Sequence, residues 1–263
     1  MNASVPIVKM NGTKNEFVVL DDRRAERGDY RELAIALCDR ERGFAADGLL
    51  VILSSRVADA RMRMFNPDGS EAEMCGNGIR CVARYIAEEG GPEHATLETL
   101  AGPIRTEVIE RDPFLVRAAL GVPRVGDPQE LAIAGRTLEY VPVSMGNPHA
   151  VIFTDDVMRV DLEFVGPQIE RHPAFSEGTN VHFCVVEDRR TLRARHWERG
   201  AGATLACGTG AAACAAAAIV RGAASSPVDV WVPGGRLIIE WDGEGQAFMT
   251  GEVEREFEAL AQT

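Results

Sequence analysis

Cys75-Gly76-Asn77-Gly78 and Cys207-Gly208-Thr209-Gly210 are one short motif written twice, and their offset, 207 − 75 = 132, organises the whole chain. The same offset relates Asn15 to Asn147, Asp29 to Asp161, Gly90 to Gly222 and Gly102 to Gly234. It also relates Asn66 to Glu198, each of which follows an aromatic residue, Phe65 or Trp197. One such pair would carry no weight. A register kept over this much sequence marks an internal duplication. Two copies of one fold are expected, residues 1–120 and 121–250, with the tail 251–263 packing back on the first.

Each copy reads mostly as β-structure with two helices. Val18-Val19-Leu20, Leu49 to Leu53 and Thr106 to Ile109 are apolar or β-branched runs bounded by turn residues. Asp29 followed by Glu32 resembles a capping box and predicts a helix running to about Arg40. A second helix is predicted from about Gly78 to Glu89, and its partner from about Gly210 to Arg221. The partner is nearly all alanine, the best helix former, with side chains small enough for strands to approach closely. It lacks the charges of a solvated helix face.

Composition narrows the chemistry. The 263 residues suit one large domain or two ordinary ones, and 46% hydrophobic residues can fill a core. The net charge, 28 − 40 = −12, argues against nucleic acid as a partner. The only lysines are Lys9 and Lys14, both in the first strand region, which argues against pyridoxal phosphate held as a Schiff base. The six cysteines form no C-x-x-C pair, so a zinc ribbon or disulfide scaffold is not expected and a reducing cytoplasm is. No basic and then apolar leader opens the sequence, and the apolar run Ala211 to Val220 is too short to span a bilayer, so no membrane partner is expected.

Each motif cysteine stands just before a predicted helix, in a glycine-rich turn. Unsatisfied N–H groups at a helix start carry partial positive charge; they favour a thiolate and can bind a carboxylate. Two copies related by a pseudo-twofold are expected to bring Cys75 and Cys207 to face each other across the interdomain cleft. Two facing thiols suit one reaction class: removal of a proton from one face of a carbon and return from the other, with one sulfur starting as thiolate and the other as thiol. Cys38, Cys81, Cys184 and Cys214 have no partner at the repeat offset and read as core residues. Asn15, Asn66, Asn147 and Asn180 lie in or beside turns at repeat-register positions, and Arg199 follows Glu198 ahead of the second motif. Arg199 reads either as a surface ion-pair residue or as a clamp for a substrate carboxylate.

Asn66-Pro67-Asp68-Gly69-Ser70 and Glu73 to Arg80 resemble the first cysteine motif of the diaminopimelate epimerase family. Met145 to His149 is similar to the family's central motif, Glu198 to Gly202 with Leu205 to Gly210 to its second cysteine motif, and Asn15 to Val19 to its first strand. The resemblance runs from about Met10 to Gly251. It implies an α/β (α+β) fold: two pseudo-symmetric domains, each a β-barrel-like sheet around a central helix. It implies a cofactor-independent epimerase of L,L- and meso-diaminopimelate in lysine and cell-wall precursor synthesis, a small amino-acid substrate, and a homodimer. By position, Cys75 and Cys207 become the acid/base pair, and His149 and Glu198 tune their pKa values. Gly76, Asn77, Gly208 and Thr209 hold the reacting centre, while Asn15, Gly48, Asn66, Asn147, Asn180, Glu198 and Arg199 bind substrate. The sequence departs from the family at Lys14, Glu16 and Ala203. The alternatives are a racemase of another amino acid, such as histidine, or a thiol redox or hydrolase protein; a hydrolase needs one cysteine with a histidine base rather than a symmetric pair.

Overall fold

The computed structural model describes residues 4–262 except Glu26 and Ala134. The chain divides into two compact units, Met1–Ala118 with Gly251–Thr263, and Ala119–Thr250. The first contains β1 (Ser4–Gly12), β2 (Asn15–Asp21), α1 (Arg31–Cys38), β3 (Gly48–Leu53), β4 (Ala60–Phe65), β5 (Glu71–Ala72), α2 (Gly76–Glu88), β6 (His94–Thr99) and β7 (Gly102–Arg111). β8 (Phe114–Gly121) leads to the second unit. There follow β9 (Arg124–Val125), β10 (Gln129–Ile133), β11 (Arg136–Ser144), β12 (Pro148–Phe153), α3 (Leu162–Glu170), β13 (Asn180–Asp188), β14 (Thr191–Glu198) and β15 (Gly202–Thr204). α4 (Gly208–Val220), β16 (Val228–Val232) and β17 (Gly235–Glu240) complete that unit, and β18 (Ala247–Gln262) returns the chain to the first.

The strand registers repeat at the offset of the cysteine motifs. Phe17 pairs with Gly48 in one parallel ladder, and His149 with Asn180 in another. Leu49 opposes Phe65 as Val181 opposes Trp197, and Phe65 opposes Glu71 as Trp197 opposes Ala203. α2 and α4 start at Gly76 and Gly208, again 208 − 76 = 132 apart.

Each unit is a curled sheet with one helix inside and another outside. α2 packs on β1, β2, β3, β4, β6 and β7; α4 packs on β9, β11, β12, β13, β14, β16 and β17. On the other face of the first sheet, Ala34, Leu37 and Cys38 of α1 share a core cluster with Val18, Leu20, Leu49 and Val51. In the second unit, Leu162 and Ile169 of α3 cluster with Ala150, Ile152, Val181 and Phe183. Strands covered on both faces need apolar residues at successive positions, which is why Phe17 to Leu20 of β2 and Leu49 to Leu53 of β3 are unbroken apolar runs. Inside, the alanines of α4 between Ala211 and Ala218 are at most 1% exposed. Their methyl groups let the surrounding strands close on the helix.

Local details depart from the sequence reading. α2 and α4 begin at Gly76 and Gly208, two residues earlier than expected, so the first motif glycines are already helical. Asp161 caps α3 by accepting the Phe164 N–H. Asp29 does not cap α1: the N-cap is Tyr30, with no side-chain hydrogen bond, and Asp29 accepts the Arg31 N–H from one position further out. α1 also ends at Cys38 rather than near Arg40.

Gly12 lies where β1 meets the first turn of α2. A Cβ there would stand 2.8 Å from the Asn77 carbonyl oxygen, a backbone atom that cannot swing aside. Gly12→Ala is therefore expected to destabilise the protein by about 1–3 kcal/mol, the usual cost of overpacking. A urea midpoint equal to that of the parent would contradict this.

Candidate active site

In the first unit the site is built on the start of α2. Cys75 is the N-cap residue, in an extended conformation, and its Sγ accepts the Gly78 N–H at 3.4 Å. Asn15 Oδ1 lies 4.0 Å from that sulfur and accepts the Asn77 Nδ2–H at 3.3 Å. Asn15 is oriented in turn by donating to Asp47 Oδ2 at 2.9 Å. Beneath the turn, the buried Arg80 donates to the Gly76 carbonyl, to Asn77 Oδ1 and, at 2.7 Å, to Thr13 Oγ1. Burial lowers the Arg80 pKa to about 10, which still leaves a cation at neutral pH. Gly48 is buried at the start of β3; a Cβ there would stand 3.0 Å from the Phe65 carbonyl oxygen and 2.9 Å from the movable end of Met64. Asn66 holds the β4–β5 turn, donating its Nδ2–H to Ser70 Oγ at 2.9 Å.

In the second unit Cys207 is the N-cap of α4, with Sγ 3.7 Å from Thr209 Oγ1. Burial pushes this thiol well above its ordinary 9.0, and the neighbouring Glu198 carboxylate pushes it further; the Thr209 hydroxyl and the Gly210 N–H pull the other way. At Cys207 the helix N–H groups still pull towards a thiolate, but desolvation and a negative neighbour outweigh them. Asn180 ties the start of β12 to the turn after β14: its Nδ2–H donates to the Pro148 carbonyl at 2.9 Å and its Oδ1 accepts the Arg199 N–H at 3.1 Å. Arg199 donates from Nη1 to the Glu177 carbonyl at 3.0 Å. Its side chain is exposed and forms no ion pair among the described residues.

His149 does not stand alone. Its Nε2 lies 2.9 Å from Asn147 Oδ1 and its Nδ1 lies 2.8 Å from His182 Nε2; His182 Nδ1 is in turn 2.8 Å from His196 Nδ1. All three rings are buried. Desolvation lowers the pKa of His149 and of His196 to about 3, and drives that of His182 well below 6.5. The rings are therefore neutral at neutral pH. Asn147 and His149 also reach a cavity of about 610 Å³, further lined by Arg124, Phe175, Gly178 and Thr179; Cys207 does not line it.

The structure thus groups Asn15 and Asn77 with Cys75, Glu198 and Thr209 with Cys207, Asn147 with His149, and Asn180 with Arg199. The sequence reading does not single out Asp47, Thr13, His182 or His196. A position-by-position comparison at the repeat offset would expose the two histidines. Among the described residues, no cluster of histidine, cysteine and carboxylate side chains is arranged to hold a metal, and no helix is long and apolar enough to cross a membrane.

Two measurements test this electrostatic picture. Glu198→Gln removes the negative neighbour, so the Cys207 thiolate absorbance, isolated by difference against Cys207→Ala, should appear at lower pH than in the parent. An unchanged or higher titration point would contradict it. The histidines are depressed in the folded state, so the unfolded chain binds more protons below pH 6.5. Their contribution to stability is present above that pH and is lost as pH falls towards the folded values. The loss has a limiting slope of about 1.4 kcal/mol per pH unit for each ring. Urea unfolding between pH 7 and pH 5 should show this fall, and a flat profile would contradict neutral buried rings.

Sequence and fold comparisons agree with one another. The profile of the family described as Diaminopimelate epimerase matches residues 7–125 and 141–256. A diaminopimelate epimerase of Desulfitobacterium hafniense is 46% identical, over 97% of this chain and 97% of that protein. One of Carboxydothermus hydrogenoformans is 44% identical, over 94% of this chain and 96% of that protein. Among solved structures, a hydroxyproline epimerase of Agrobacterium vitis superposes with a TM-score of 0.74 at 16% identity, covering 100% of this chain and 94% of its own. A Bacillus anthracis phenazine biosynthesis protein of the PhzF family superposes with a TM-score of 0.78 at 18% identity, covering 99% and 100%. These two likenesses establish the fold; the sequence relatives and the matched profile go further, and the chain belongs to the diaminopimelate epimerase family.

Proposed function

We propose that the protein interconverts L,L- and meso-diaminopimelate, with Cys75 and Cys207 as its two acid/base residues. The observation that carries this reading is the pair of cysteine N-caps on the central helices α2 and α4, at matching positions of the repeat. Inversion at an α-carbon needs a base on one face and an acid on the other. One thiolate accepts the α-proton and becomes a thiol; the opposing thiol gives up its proton to the carbanion and becomes a thiolate. No electron leaves the substrate, so the step needs no oxidant. The reverse reaction exchanges the roles.

Fixed charges favour one starting arrangement. The buried Arg80 cation interacts favourably with a Cys75 thiolate, whereas the Glu198 carboxylate and burial keep Cys207 protonated. In this reading Cys75 removes the proton and Cys207 returns it. The backbone N–H groups at the two helix starts hold the α-carboxylate and stabilise charge that develops on it in the carbanion. Asn15, Asn66, Asn147 and Asn180 supply amide contacts, and the Arg199 fork takes the distal carboxylate. His149 acts through Asn147, its hydrogen-bond partner. Both thiols must remain reduced, which suits a reducing cytoplasm.

Arg199 is exposed before substrate arrives, so a substrate lacking the distal carboxylate loses a charged hydrogen bond without leaving a buried cation unpaired. That loss is about 1.5–3 kcal/mol, or roughly ten- to hundredfold in turnover efficiency. Lysine should be discriminated against by that factor, and Arg199→Lys should lower efficiency with diaminopimelate because an ammonium cannot reproduce the fork.

Cys75→Ala and Cys207→Ala are each expected to lose roughly 10²–10⁴-fold in epimerisation, followed by chiral chromatography, with unfolding midpoints close to that of the parent. Turnover near the parent rate in either variant would reject the two-base reading. Faster turnover of histidine or lysine than of diaminopimelate would reject the substrate.

A further inference from the structure

The two copies differ sharply at three buried positions. His149, His182 and His196 occupy the places held in the first copy by Phe17, Leu50 and Met64, since 149 − 132 = 17, 182 − 132 = 50 and 196 − 132 = 64. The equivalence is structural as well: Leu50 opposes Met64 across β3 and β4 as His182 opposes His196 across β13 and β14. Leu50 lies against Gly78, and the His182 ring lies against Gly210, where an added Cβ would meet it at 2.5 Å. The scaffold therefore needs only apolar side chains here. A buried chain of imidazoles costs desolvation that the first copy avoids.

The chain of contacts has one consistent direction. With all three rings neutral, each carries one N–H. If Asn147 presents its oxygen, His149 donates from Nε2, His182 donates from Nε2 to His149 Nδ1, and His196 donates from Nδ1 to His182 Nδ1. The remaining atom is His196 Nε2, which has no partner among the described residues and is then a bare acceptor. The reverse direction would leave a buried N–H donor there, and orphaned donors are rarer than under-used acceptors. Each lone pair is spent on the next ring, so the nitrogens form a line and do not converge on a metal position.

We propose that His182 and His196 are positioning residues for the second half of the active site. They lock His149 in its Nε2–H tautomer, so that it holds the Asn147 oxygen and leaves the Asn147 amide NH2 to meet an acceptor on the substrate. That NH2 takes no partner among the described residues. The same His182 ring backs Gly210, whose N–H acts on the Cys207 thiol. One relay thus orients a substrate-facing amide and supports the turn that carries the acid. The proposal deepens the epimerase reading and rests on it.

The test restores the residues of the first copy: His182→Leu with His196→Met, studied beside His182→Gln. Imidazole ¹H–¹⁵N correlation spectra of the parent should show His149 as a single Nε2–H tautomer. In the double variant a second, Nδ1–H population should appear, kcat/KM for diaminopimelate should fall by about tenfold, the value of one oriented hydrogen bond, and the melting temperature should not fall. His182→Gln still offers a donor to His149 Nδ1, and should keep the parent tautomer with kcat/KM within about twofold of it. An Nδ1–H tautomer in the parent, an unchanged His149 spectrum in the double variant, or parent-level kcat/KM in that variant would each overturn the proposal. The parent spectrum stands even if the double variant fails to fold. A parent enzyme that leaves diaminopimelate unchanged would reject the epimerase reading and not the tautomer lock.

Discussion

A helix that starts inside a protein must still satisfy the N–H groups of its first turn, and that constraint shapes this molecule twice. α2 and α4 begin within their curled sheets, with Gly76, Asn77, Gly78, Gly208 and Gly210 buried. Each is preceded by a cysteine, whose sulfur is a weak acceptor. A serine or aspartate would cap the helix more strongly, but would leave the helix start less able to act on a ligand. Two of the glycines have side chains at close contact distance, Leu50 beside Gly78 and the His182 ring beside Gly210. Stability has been given up at both helix starts, and in both copies the residue placed there is a thiol.

On this shared scaffold the surroundings of the two thiols have diverged. Arg80 lies under the first turn of α2, where the second copy has Ala212. Glu198 lies beside Cys207, where the first copy has Asn66 in a surface-facing turn. One unit thus sets a cation near its sulfur and the other a carboxylate. A symmetric backbone with asymmetric charge suits the proposed two-base inversion, in which the two sulfurs begin in opposite protonation states. The histidine relay adds a third difference, confined to the unit that carries Cys207.

Much of this is legible in the sequence because it rests on periodicity. The duplication, the helix after each cysteine and the alanine-rich interior of α4 all follow from spacing and composition, and the strand registers reproduce the offset. Spacing does not carry environment. Asp29 has the right distance to Glu32 for a cap, but the chain enters α1 one residue later, at Tyr30. Cys207 has a helix behind it that should favour a thiolate, but burial and Glu198 decide otherwise. Arg199 reads as a clamp or a surface residue in sequence, and in the structure it is exposed with its fork partly held by the Glu177 carbonyl. His182 and His196 sit in strands where a single sequence suggests only pleated packing; their meaning emerges when their neighbours across the ladder are known.

Whether two separate groups handle the proton is tested most directly by following L,L-diaminopimelate in deuterated water during the first few per cent of reaction, with mass spectrometry on both isomers. Two-base transfer predicts one deuterium at the inverted carbon of the meso product and none in the recovered L,L substrate, because the group that removes the proton is not the group that delivers the solvent-derived one. Deuterium appearing in the recovered substrate as early as in the product, or meso product formed without deuterium, would contradict it.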